Sequence, residues 1–262
     1  MLKRVFVVPV FAAVILGFLL AFVWLGEANA GVLMPFIKGG SQSAPTAPPP
    51  WSDPATHIEL FAPVADVAYH SPIDIIGLSQ TFEGTVNVRL LDRDGGVLAE
   101  RATIGGSVDG FDFFHTYLRF TVTEVQTGTV EIFEESAEDG SRLTEILVPV
   151  ILLPGQRVLD LHAPAVGSAV CNNITMSGYS STFEATVGVD IRQRSGELIT
   201  ETFTMGGNLG IYTDFSIGLS VPITQPTALL VSAHETSAES GGLIDLARVP
   251  ITLYPTDSEE CP

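Results

Sequence analysis

Residues 58–152 return as residues 159–253 at a constant offset of 101 positions, without a gap. Gly77 recurs as Gly178, Phe82-Glu83 as Phe183-Glu184, Thr85-Val86 as Thr186-Val187 and Gly95 as Gly196. Gly105-Gly106 recurs as Gly206-Gly207, Ser136-Ala137-Glu138 as Ser237-Ala238-Glu239, and Val148-Pro149 as Val249-Pro250. Solenoid units repeat every roughly 20–50 residues, so a period this long is a whole domain copied in tandem. Each copy is long enough to bury a core without metals or several disulfides.

One repeat reads as β-structure. Ile73–Gly77 and Thr85–Leu90 alternate with period two, so Val86, Val88 and Leu90 share one face while Asn87 and Arg89 share the other. Asp92-Arg93-Asp94-Gly95-Gly96 is a turn centred on Asp-Gly, which predicts a hairpin with the strand Val97–Ile104. Further strands are expected at Ile58–Phe61, Phe113–Thr123, Gly128–Phe133 and Thr144–Leu152. About seven short strands parted by turn signals predict an all-β fold, a two-sheet antiparallel sandwich of immunoglobulin type in each copy. The Cys–Trp–Cys signature of antibody domains is absent, so the core is expected to be purely apolar.

The residues Ala62-Pro63, Ser71-Pro72-Ile73, Gly77, Phe82-Glu83-Gly84-Thr85-Val86, Asp92, Asp94-Gly95 and Asp139-Gly140-Ser141 resemble the immunoglobulin-like domain of bacterial spore germination proteins, the Gmad2 family. The second copy is similar with substitutions: Asn172-Asn173 for Ser71-Pro72, Ser195-Gly196 for Asp94-Gly95, and Gly241-Gly242 for Gly140-Ser141. This resemblance implies an extracytoplasmic accessory module of envelope proteins, without catalytic residues and with a possible link to sporulation or germination.

The N-terminus addresses the chain. Lys3 and Arg4 precede an uncharged run from Val5 to Gly26, long enough as a helix to cross a bilayer. Residues 1–30 are therefore expected to be an N-terminal transmembrane helix that leaves the rest outside a bacterial cytoplasmic membrane. The alternative is a signal peptide cleaved near Ala30, after Ala28-Asn29-Ala30. Residues 31–56, rich in Pro, Ser and Gly, read as a stalk. The two sandwiches are expected over 57–153 and 157–254, with a tail at 255–262. The short connection Pro154-Gly155-Gln156-Arg157 suggests an elongated rod.

Charge narrows the partners. The chain has 12 basic and 30 acidic residues, of which 9 and 29 lie beyond Lys38, a balance of 9 − 29 = −20. Such a surface repels phosphate backbones, so nucleic acid is not an expected partner. An envelope protein or a glycan, with the membrane engaged through the N-terminal helix, fits better.

No duplicated catalytic or metal constellation is legible, and no cofactor is expected. His57, His70, His115, His162 and His234 face Val158, Cys171, Ser216, Phe61 and Phe133 at the equivalent positions. HExxH, GxSxG, P-loop and dinucleotide patterns are absent from the sequence. Glu83 and Glu184 recur and are expected to accept turn N–H groups, with metal or partner binding as the alternative. The acidic stretches Asp92–Asp94 and Glu134–Gly140 read as solvated loops, with calcium as the alternative. Cys171 and Cys261 lie at one pole of the expected second sandwich, and outside the cytoplasm they are predicted to form a disulfide; free or intermolecular thiols are the alternative.

Overall fold

The structure is a computed structural model that describes residues 50, 51 and 56–261. The expected transmembrane helix at 1–30 lies outside the described residues, as does most of the stalk. Among the described residues no helix is long and apolar enough to cross a membrane.

The first repeat contains β1 (Ile58–Ala62), β2 (Ala68–Ser71), β3 (Ile73–Ser79), β4 (Thr85–Leu91), β5 (Val97–Ile104), β6 (Asp112–Leu118), β7 (Gln126–Glu135) and β8 (Arg142–Gln156). The second contains β9 (Leu159–Ala163), β10 (Ala169–Cys171), β11 (Asn173–Thr182), β12 (Thr186–Gln193), β13 (Leu198–Met205), β14 (Gly207–Asn208), β15 (Thr213–Ser220), β16 (Thr227–Thr236) and β17 (Leu243–Tyr254). Against the seven strands expected per repeat, the structure adds the short β2 in the first and β10 and β14 in the second. β2 and β10 arise because the first strand stops at a proline, Pro63 or Pro164, which has no N–H to continue the ladder. The chain then crosses to the opposite sheet. There β2 pairs parallel with β8, and β10 pairs parallel with β17.

Each repeat is thus a two-sheet sandwich. In the first, β1-β3-β6 faces β5-β4-β7-β8-β2; in the second, β9-β11-β15 faces β13-β12-β16-β17-β10. The expected alternation holds in β4, where Val86, Val88 and Leu90 are fully buried. The Asp92 carboxylate accepts hydrogen bonds from Asp94 N (2.9 Å) and Gly96 N (2.7 Å), and Gly95 takes φ +84°, which favours glycine.

The two sandwiches do not stand end to end, which corrects the expected rod. Ile244 of β17 pairs with Ala68 of β2, so one sheet runs through both repeats in the order β13-β12-β16-β17-β2-β8-β7-β4-β5. The physical reason lies in β3. Ile73 and Ile75 fill the first repeat's own core, while Ile76 and Leu78 point out of the other face. Those two, with Phe61, pack into the second repeat's core, and Leu246 of the second repeat packs into the first. Burying an apolar side chain contributes roughly 1.5–3 kcal/mol, so an apolar outer face drives lateral docking.

Candidate functional site: the groove between the repeats

The junction is built around two buried or half-buried carboxylates. Asp245 of β17 sits in the left-handed region at φ +48°, with its side chain 1% exposed. It accepts hydrogen bonds from His70 N (2.7 Å) and Val158 N (2.7 Å), and its Oδ2 lies 2.9 Å from His70 Nδ1. One side chain of the second repeat therefore holds β2 and the linker together. Burial works to lower the His70 pKa, but the hydrogen bond and charge of Asp245 outweigh it and hold the imidazole above its ordinary value. Asp74 of β3 pairs with Arg157 of the linker and with His115 Nε2 of β6 at 3.2 Å. Arg157 also donates to Asp160 Oδ2 at 3.1 Å. Burial pushes the Asp74 carboxyl up; the His115 hydrogen bond and the Arg157 charge outweigh it, so the net shift is downward.

An aromatic wedge closes another part of the junction. Trp51 stands outside both repeats and is 8% exposed. Its ring lies edge-on to Phe61 and Phe113, both centroids at 5.3 Å, and its Nε1 donates to Thr252 Oγ1 at 3.0 Å. Arg194 covers the ring with its guanidinium carbon 5.2 Å from the centroid and pairs with Glu59. Gly167, at φ +71°, lies so close to Phe113 that a Cβ there would come within 2.5 Å of Cδ2.

This clamp leaves a groove of about 760 Å³ whose walls include Ser71, Phe120, Arg119, Arg157, Tyr179 and Tyr212. The tyrosines come from β11 and from the turn before β15, and are 39% and 48% exposed. Tyr212 donates to the carbonyl of Arg157 at 2.9 Å, and its ring lies edge-on to Tyr179 at 6.2 Å. His162 extends the row, 4.6 Å from Tyr179. Exposed aromatic edges and faces beside guanidinium donors suit a flat, hydroxyl-rich or peptide-like ligand.

The residues singled out from sequence lie apart. His70 and His115 belong to the junction, His162 to the aromatic row, and His57 lies at the surface 3.8 Å from Glu134. His234 is buried in the outer face of the second repeat. Glu83 and Glu184 are exposed, with backbones at φ +58° and +55°. The expected turn acceptor is instead Glu134 in the first repeat, 2.7 Å from Phe82 N, and Glu235 in the second, 3.0 Å from Phe183 N. The sequence signal was there, since Glu134 and Glu235 also correspond at offset 101. Asp139 accepts from Ser141 N at 3.0 Å, so this loop carboxylate caps its own turn as Asp92 does. Among the described residues no group of three His, Cys, Asp or Glu side chains could hold a metal ion. Cys171 and Cys261 are joined, with Cα atoms 5.7 Å apart.

Residues 57–141 and 158–242 both match the family described as the immunoglobulin-like domain of bacterial spore germination, Gmad2. The chain belongs to the Gmad2 family. Its two Gmad2 copies have the immunoglobulin-like fold, a non-catalytic domain type. Searching curated proteins finds no match. Among solved structures, the chain is similar to a biofilm associated protein, BSP domain, at 12% identity and TM-score 0.34, over 73% of this chain and 29% of that one. It is also similar to dimeric latent PorU from Porphyromonas gingivalis at 9% identity and TM-score 0.28, over 77% and 24%. A third is the periplasmic chaperone SfaE, at 9% identity and TM-score 0.26, over 73% and 98%. The chain thus spans under a third of the first two structures' length.

Proposed function

We propose that this Gmad2 protein is a non-enzymatic binding protein of the bacterial envelope, anchored by its N-terminal apolar segment, whose joined immunoglobulin-like domains present a groove to a glycan or an envelope protein. The observation that carries the reading is the row His162, Tyr179 and Tyr212, which stays exposed beside a groove whose wall is held by the half-buried ion pairs of Arg157 with Asp74 and Asp160. Aromatic side chains half in water are the usual contact surface of binding sites, and rigid walls reduce the entropy lost on binding. An extracytoplasmic location is supported by the uncharged run Val5–Gly26 and by the Cys171–Cys261 disulfide, which persists in oxidising compartments. The family description makes sporulation or germination the first setting to examine.

The test is retention of the full chain on envelope extracts and cell-wall glycan fragments, beside Tyr179→Ala and Tyr212→Ala. Loss of retention in both variants, with unchanged thermal unfolding, supports the groove. Retention at the native level in both variants refutes it.

A second reading is an assembly subunit of an envelope or spore-coat complex. It is favoured by the free ends of the long sheet, where β5 exposes Val97 and Ile104 and β13 exposes Leu198 and Met205. Unpaired strand edges with apolar side chains are templates for strand addition. Concentration-dependent self-association or cofractionation with a fixed complex, without a soluble ligand, selects this reading.

A further inference from the structure

A second site emerges when the outer faces of the two repeats are compared residue by residue. In the first repeat this face is electrostatically self-contained. Arg142 lies over the Phe133 ring at 4.0 Å and Arg89 at 5.4 Å. Both guanidinium groups reach Glu131, and Arg89 also pairs with Glu100 at 3.1 Å. Arg142 pairs with Glu145 as well, so the aromatic ring, three carboxylates and their two cations all come from one domain.

In the second repeat an aromatic ring (His234 for Phe133) and one carboxylate (Glu201 for Glu100) remain, Ser232 and Leu246 stand where Glu131 and Glu145 do, and the cations over the ring are gone. Leu243 stands at the position of Arg142, Asp190 at that of Arg89, and Glu201 at that of Glu100. Leu243 is turned toward the first repeat's core. Arg192 is committed to Asp190 at 2.9 Å, and Arg248 donates to Ser232 at 3.0 Å. Among the described residues neither Glu201 nor Glu184 has an ion-pair partner.

A new aromatic has also appeared. The registers Gly188↔Phe203 and Gly188↔His234 put Phe203, Gly188 and His234 in one row across three strands, where the first repeat has Ala102, Asn87 and Phe133. His234 leans across the bare Gly188, where a Cβ would lie 2.4 Å from its Nε2. These residues, with Phe183, Glu184 and Glu201, line a notch of about 610 Å³. Phe203 is 63% exposed, while His234 is only 6% exposed and its Nδ1 has no hydrogen-bond partner; the Asp190 carboxylate is 3.8 Å away.

We propose that this notch receives an arginine side chain from a basic segment of a partner protein, with the guanidinium on the Phe203 ring and its N–H groups shared between Glu201 and Glu184. The first repeat supplies the precedent, an arginine stacked on a ring and tied to glutamate. A planar guanidinium can stack and hydrogen-bond at once, which a lysine ammonium does less well. The excess of negative charge beyond Lys38 draws a basic segment toward the surface. This site lies in the second repeat alone, with lining residues different from those of the groove.

The test titrates the full chain with a short peptide carrying two arginines, and with the same peptide carrying citrulline, which keeps the shape but loses the charge. Binding is read by isothermal titration and by NMR shifts of the His234 ring protons. The arginine peptide should bind and shift His234; the citrulline peptide should not. Phe203→Ala, which restores the first repeat's residue, and Glu201→Gln should each weaken binding by about two- to fivefold. Glu259→Gln, on the exposed tail beyond Tyr254 at the opposite end of β17 from the notch, should leave it unchanged. Equal binding of both peptides, or equal losses in Glu259→Gln and Glu201→Gln, would overturn the proposal in favour of diffuse attraction. A dimer abolished by Phe203→Ala would also overturn it, because the occupant would then be a second copy.

Discussion

Removing the Asp245 carboxylate should uncouple the two repeats. Three donors converge on this group: His70 N, His70 Nδ1 and Val158 N, all within 2.9 Å. Truncation to alanine leaves two backbone N–H groups and an imidazole at a junction that was sealed. Breaking one side of a buried charge pair costs about 3–5 kcal/mol, and each stranded donor accounts for about 1–3 kcal/mol of that. Alanine also strains the backbone at φ +48°, by roughly 1 kcal/mol. Taking about 4 kcal/mol and a urea slope of about 3 kcal/mol per molar, the midpoint should fall by about 1.3 M. The lost contacts join the repeats rather than either core, so the single transition should split in two. Asp245→Gly, which relieves the backbone but supplies no acceptor, should recover about 1 kcal/mol of the alanine loss. Asp245→Asn keeps one oxygen and tolerates the left-handed backbone, so it should fall between wild type and alanine. Urea unfolding followed by circular dichroism and intrinsic fluorescence measures all three. If Asp245→Ala unfolds in one transition at the wild-type midpoint, the three hydrogen bonds do not couple the repeats and the reasoning fails.

Further perturbations probe the junction, the outer face of the second repeat and its disulfide. The folded-state pKa of His70 is raised, so its pairing with Asp245 contributes fully below about pH 6.5 and is lost as pH rises through the raised value. His234 is opposite: burial lowers its pKa, so stability holds above about pH 6.5 and falls as pH drops toward the lowered value. Stability–pH curves should therefore lose their alkaline slope in His70→Gln and their acid slope in His234→Phe; unchanged slopes count against each assignment. Trp51→Ala should cost about 3–5 kcal/mol by emptying the wedge between Phe61 and Phe113, and calorimetry reads it as a lower Tm. Reducing the Cys171–Cys261 bond, which spans a separation of 90 residues, should remove about 4–5 kcal/mol on the chain-entropy account. Equal melting with and without reductant would refute that contribution.

The sandwich itself was legible because its determinants are local and written twice. Val86, Val88 and Leu90 alternate, Asp92 and Gly95 close the hairpin, and the same offset carries both features into β12 and its turn. The junction was not legible by the same route, because a residue that joins two copies has no reason to recur in both. Asp245 corresponds to Thr144, and Arg157 falls in the linker. Trp51 precedes the first repeat altogether. Propensity could not have separated them from ordinary loop and edge residues, since their junction partners lie 83 to 201 positions away.

A usable signal nevertheless existed in the differences between the repeats. Phe61, Ile76, Leu78 and Phe113 of the first repeat become His162, Ser177, Tyr179 and Asp214 in the second. A face apolar in one copy and polar in the other cannot serve the same environment twice. In the first repeat it is covered by the second repeat's core; in the second it carries the exposed row of His162 and Tyr179. The same logic applies on the other sheet, where Arg142 and Phe133 give way to Leu243 and His234 and a ring loses its guanidinium. Duplication relaxed the demand that each domain satisfy itself. One set of changes is satisfied inside the chain, by docking the repeats, and leaves a groove at their edge. The other, around Glu201 and Phe203, is not satisfied by any described residue. Surface carboxylates are stable in water without a cation and single exposed rings are common; what sets the notch apart is that Phe203 and Phe183 line it together with two carboxylates and the buried His234, whose Nδ1 has no hydrogen-bond partner. That is why the notch, rather than the turns the two copies share, is the place to look for a partner's charge.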